Sequence, residues 1–147
     1  MKNILLALEL DYKELTKDMI ASAKQLAKAF GAKCWLVHIA APEPDFMDYE
    51  VGPQYIRDML AKDLKDIHKN IQTLANSLKE DSIDAEGLVI QGPTTEMIIE
   101  EVKKLSIDLL VLGNKKHGFM YNALIGSTTD ELIDNISVPV LLIPEKK

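Results

Sequence analysis

The chain has 147 residues, of which 47% are apolar and 27% charged, and it carries a net charge of −6 at neutral pH. This composition excludes a disordered chain and provides the length for a proper core, while the negative balance argues against nucleic acid and anionic membranes as partners. The single cysteine, Cys34, excludes an internal disulfide framework and a cysteine-rich zinc cluster, and it reads as a small buried apolar residue.

The first apolar run, Ile4 to Leu8, has the continuity of a strand covered on both faces. Glu9 interrupts it too early for a signal-peptide core, and no later run approaches membrane-spanning length, so a cytoplasmic chain of one domain, residues 1–147, is expected. From Asp11 to Phe30 the apolar residues Leu15, Met19, Ala23, Leu26, Ala27 and Phe30 share a helical stripe, which Gly31 stops. Cys34 to Ala40 is a second strand. Residues 41–53, with Pro42, Pro44, Gly52 and Pro53, form an acidic loop. Its Phe46, Met47 and Tyr49 suit either a cover over a ligand or a dimer contact.

Gln54 to about Glu80 predicts a long amphipathic helix, with Met59 or Leu60, then Leu64, Ile67, Ile71, Leu74 and Leu78 alternating in spacing between four and three. Too few repeats are present for a coiled coil. Leu88 to Ile90 is the heart of a third strand, and Gly92-Pro93-Thr94-Thr95-Glu96 reads as a helix start. Met97, Ile98, Val102 and Leu105 continue that helix on one face; Ile107 to Leu112 is the fourth strand. Ser127 with Asp130 has the spacing that satisfies the first amides of a final helix, and Val138 to Ile143 is the fifth strand, whose Pro139 suits a sheet edge. The alternation βαβαβαβαβ predicts an α/β fold, a parallel sheet with helices on both faces and right-handed crossovers. A ligand in that architecture binds beyond the carboxyl ends of the strands, where the winding direction reverses.

Gly113-Asn114-Lys115-Lys116-His117-Gly118 follows the fourth strand, and Gly126-Ser127-Thr128-Thr129 opens the last helix. Main-chain N–H groups around glycines, beside the positive end of a helix, suit a phosphate. Gly113 also suits a simple strand end, and Ser127 a simple cap; a capping serine sits where an anion binds, so its two roles are compatible. Lys115 and Lys116 read equally as a solvated loop face or as phosphate partners. His117 has no recognisable nucleophile or base beside it, His38 reads as a satisfied histidine at a strand end, and His68 as a surface residue of the long helix.

The spacing Gly113, Lys116, Gly126-Ser127 resembles the nucleotide loop of the universal stress protein family, in which a glycine, two residues, a second glycine, nine residues and Gly-Ser or Gly-Thr succeed one another. Lys116 stands at the second glycine, and Glu9 stands where the family usually carries aspartate. Asn3-Ile4-Leu5-Leu6-Ala7-Leu8, Leu36-Val37-His38-Ile39, Gly92-Pro93 and Val138-Pro139-Val140-Leu141-Leu142 are similar to further family segments in the same order, so the resemblance spans essentially the whole chain. It implies a three-layer, Rossmann-like sandwich of the adenine nucleotide alpha hydrolase-like kind, with a five-stranded parallel sheet of order 3-2-1-4-5. It also implies a homodimer paired through the last strand, Val138–Ile143, and an adenine nucleotide, ATP or AMP, with or without Mg. Carried over residue by residue, Gly113, Gly126, Ser127 and Thr128 would meet phosphates or ribose, with Lys115 and Lys116 beside them. Ala7, Glu9, Ile39 and Leu112 would line the adenine and ribose end.

A Walker-type loop, a Gly-x-Gly-x-x-Gly loop and a Gly-x-Ser-x-Gly elbow are all absent from the sequence. The expected function is therefore a nucleotide-binding stress-response or signalling module. The alternative is a nucleotide-free family member acting through dimerisation and protein contacts. Enzymatic activity would amount at most to a slow ATPase.

Overall fold

The structure, a computed structural model, describes residues 1–40, 54–114 and 127–146, without the side chains of residues 54–61 and 127–130. Its elements, in chain order, are β1 (Asn3–Ala7), α1 (Lys13–Phe30), β2 (Lys33–Ala40), α2 (Gln54–Glu80), β3 (Ala85–Gln91), α3 (Thr94–Lys104), β4 (Leu109–Asn114), α4 (Ser127–Asn135) and β5 (Val140–Pro144). All neighbouring strands are parallel, in the order β3-β2-β1-β4-β5. This is the sheet order that the resemblance implies.

Because β1 is the central strand and side chains alternate across a sheet, its apolar run supplies both cores. Ile4 and Leu6 join Leu15, Met19 and Ala23 of α1 and Ile71, Ala75 and Leu78 of α2. Leu5 and Ala7 join Ile98 and Val102 of α3 and Leu132 of α4 on the opposite face. The helical stripes read from the sequence thus supply most of the buried faces of their helices; Phe30, the last member of the α1 stripe, is exposed instead, and the Leu60 side chain lies outside the described residues. Leu132 is fully buried, and its burial contributes about 2 kcal/mol to holding the short α4 on the sheet.

α1 ends where Gly31 adopts φ 66° and ψ 34°, the left-handed cap that a side chain disfavours. α2 and α3 end differently: Ser82 at φ 64° and Ser106 at φ 53° make the same kind of turn without glycine. After Ser106, the chain is tied to β1. Asp108 Oδ2 accepts the N–H groups of Lys2 (2.8 Å) and Asn3 (3.0 Å), and the Asp108 N–H donates to the Asn3 carbonyl at 2.8 Å. These bonds hold the Asp108 carboxyl below the usual aspartate range. β4 therefore begins at Leu109, two residues later than the apolar pattern predicts. It runs on through Gly113 and Asn114, which pair with Ile143 and Pro144 of β5.

β3 is longer than its apolar heart. Ala85 pairs with Cys34 and Gln91 with Ala40, so the strand includes Glu86, which turns outward to Lys33 (3.0 Å). As a sheet edge, β3 tolerates such polar positions. Among the described residues, no helix is long and apolar enough to cross a membrane.

Candidate functional site

β1 leads into α1 over one face of the sheet, and β4 leads toward α4 over the other, so the winding reverses between these two neighbouring strands. Leu6 of β1 pairs with Val111 of β4, and Ala7 and Leu112 follow at the adjacent strand ends. Both belong to the α3/α4 core. Beside this reversal, at the carboxyl ends of β1 and β2 and under the start of α3, lies a small cleft of ≈ 10 Å³ lined by Ala7, Leu8, Glu9, Val37, Ile39, Thr94 and Ile98. The structure thus brings together Ala7, Glu9 and Ile39, with Leu112 in the same apolar layer.

The turn that carries Glu9 is pinned on several sides. The Leu8 N–H donates to the Val37 carbonyl (2.8 Å), and the Leu8 carbonyl accepts from His38 Nδ1 (2.9 Å). A carbonyl only accepts, so Nδ1 carries a hydrogen and the histidine is the satisfied, buried strand-end residue its sequence position suggests. The Glu9 carbonyl in turn accepts the Tyr12 N–H (3.1 Å) and Thr16 Oγ1 (3.2 Å), anchoring the first turn of α1. With its backbone held this way, the Glu9 carboxyl is fixed near the cleft. Partial burial raises its pKa above the ordinary glutamate value; Asp11's charge adds to the rise, while His38's charge and a bond from the Asp11 amide oppose it.

Gly113 has a packing reason to be glycine. A Cβ there would lie 2.7 Å from Leu15 Cδ2 and 3.2 Å from Met19 Sδ, so any larger residue would displace the Leu15 side chain that α1 packs against β4. Ser127 and Thr128 are the first residues of α4, a helix of nine residues. Lys115, Lys116, His117 and Gly126 lie outside the described residues, as do Phe46, Met47 and Tyr49 of the 41–53 segment.

Val37 and Thr94 line the cleft without having been singled out in the sequence. Val37 is indistinguishable from its apolar neighbours until the β1–β2 register, which sets it beside Ala7, is known. Thr94 carried a signal: it opens α3 directly after Gly92-Pro93 at the carboxyl end of β3. His68 is exposed on α2, and Cys34 is buried, its thiol pushed up to about 11 by burial and by Asp84's charge.

A family model described as the universal stress protein family matches residues 1–144. A universal stress protein of Thermus aquaticus is 29% identical over 145 residues, covering 97% of this chain and 98% of the relative. Among solved structures, the universal stress protein from Archaeoglobus fulgidus in complex with dAMP superposes with a TM-score of 0.68 at 12% identity, covering 97% of this chain and 98% of that one. A universal stress protein in complex with cAMP gives a TM-score of 0.66 at 16% identity, covering 97% and 96%. At these identities the structural likeness speaks for the fold.

Proposed function

The chain belongs to the universal stress protein family, and from that premise we propose that it binds an adenine nucleotide, ATP or AMP, and works as a dimeric stress-response or signalling module in the cytoplasm. The observation that carries this reading is the convergence of Ala7, Glu9 and Ile39 in the small cleft at the carboxyl ends of β1 and β2, beside the point where the winding reverses. The complexes of family neighbours with dAMP and cAMP support the ligand class.

In this reading, Ala7, Ile39 and Leu112 pack against the base, and Glu9 accepts hydrogen bonds from ribose hydroxyls. The phosphates reach the amides of Gly113 and Gly126 and the start of α4 at Ser127 and Thr128, where main-chain donors and the helix dipole favour an anion. Lys115 and Lys116 supply positive charge beside them. Magnesium, when it accompanies the nucleotide, is held chiefly by phosphate oxygens and water. The second reading, a nucleotide-free module acting through its dimer and protein contacts, draws its support from Lys116 in the place of a loop glycine.

Calorimetric titration of nucleotide-free protein with ATP and AMP tests the proposal. The expected result is saturable binding, with a stabilisation of about 2.7 kcal/mol at a hundredfold excess over Kd. Gly126→Val should abolish that binding without changing the oligomeric state. No heat and no thermal shift at millimolar ATP would leave the nucleotide-free reading in its place.

A further inference from the structure

Lys13, Lys17, Lys24 and Lys28 follow one another along α1 at spacings of four, seven and four, which set them on one side of the helix. Beside them, between α1 and α2, runs a groove of ≈ 640 Å³. Leu10, Ile20 and Leu74 form its apolar floor, and Lys13, Lys17 and Lys24 stand on its rim. Lys13 and Lys17 are exposed, with no ion-pair partner among the described residues. Lys24 is paired with Asp81. This concentration of cations beside apolar surface occurs in a chain whose overall charge is −6.

We propose that the groove binds an acidic amphipathic peptide segment of another protein, with its apolar side chains on Leu10, Ile20 and Leu74 and its carboxylates facing Lys13 and Lys17. An apolar channel with a charged rim is the complement of an amphipathic helix laid into a groove. The apolar anchors supply affinity, and the rim charges supply association rate and choice of partner. A bilayer is the poorer fit, because a groove between two helices is concave, whereas interfacial binding buries a protruding apolar face. Nucleic acid is disfavoured by the chain's negative charge and by the apolar floor. Leu10 and Ile20 belong to the α1/α2 core, and Ala7 and Ile98 of the strand-end cleft belong to the opposite one, so the two sites use different faces of the sheet.

The test is fluorescence anisotropy on the full chain without nucleotide. The probe is a labelled peptide of about 16 residues with Leu and Phe at helical spacing and Glu and Asp elsewhere. A scrambled peptide of the same composition and anionic phosphatidylglycerol vesicles serve as comparisons. The acidic amphipathic peptide should bind saturably, weaken with salt, and exceed the scrambled peptide by at least about tenfold. Lys13→Glu with Lys17→Glu, and separately Ala21→Trp, which fills the groove from its exposed wall, should each weaken binding at least about tenfold while leaving the melting temperature and nucleotide titration unchanged. The proposal is overturned if no binding is seen up to about 100 µM, if the scrambled peptide binds equally, if both variants bind as wild type does, or if only the vesicles bind and do so through these lysines.

Discussion

Partial burial at the cleft makes the Glu9 carboxyl harder to ionise than in the unfolded chain, where its ordinary value is 4.5. The folded protein therefore takes up this proton more readily than the unfolded one. Below the unfolded value the group is neutral in both states and costs nothing. As pH rises from 4.5 through the raised folded value, stability is lost, and the whole cost is present above it. Glu9→Gln in nucleotide-free protein should therefore melt higher than wild type near pH 7 and show no such gain near pH 4. A gain that is equal at both values would show that charge is not its source. Single residues were unevenly legible in the sequence. Glu9 stood out as a carboxylate at a strand's carboxyl end, whereas Ala7 and Ile39 were named only through the family resemblance. Gly113 was read for phosphate approach, but its missing side chain also answers to Leu15 and Met19, two helix residues almost a hundred positions earlier. No local pattern contains that contact.

Helix ends set the second scale. Gly31 announced the end of α1 by its identity, whereas Ser82 and Ser106 adopt the same left-handed backbone without any sequence sign. An L-residue held there bears a steric cost of about 1 kcal/mol, part of which glycine returns through the greater freedom of its unfolded chain. Ser106→Gly and Ser82→Gly should each stabilise the fold by about 0.5 kcal/mol, or roughly 1–2 °C by differential scanning calorimetry. The Ser106 main-chain oxygen, which accepts from Asn3 Nδ2, is retained in the glycine variant. Ser106→Ala should bring no gain, and a comparable rise in that variant would rule out backbone strain as the cause. Elements whose apolar pattern is one-sided or continuous, such as α1, α2 and β1, were readable nearly to their ends. β3 was not, because its edge position admits Glu86, and its Gly87 sits against the Ile71 carbonyl, where a Cβ would lie at 3.1 Å.

At the scale of the molecule, the sheet has two edges, β3 and β5. β5 presents Leu142 at 39% exposure, with Val140 and Leu141 half-buried, and such an edge invites a second chain. If the proposed homodimer pairs there, Leu142→Arg should raise the dimer dissociation constant at least about tenfold in sedimentation equilibrium. Nucleotide titration should be preserved, and a variant that remains dimeric would move the interface elsewhere. The order of the strands has a further consequence during synthesis. Residues 3–7 form the middle of the sheet, yet the strand on their far side, beginning at Leu109, is made about a hundred residues later. At ordinary ribosomal speed that interval is roughly 5 to 20 s. Throughout it, β1 lacks the neighbour that pairs with one of its flanks, and the Asp108 tether arrives just ahead of the strand that closes it.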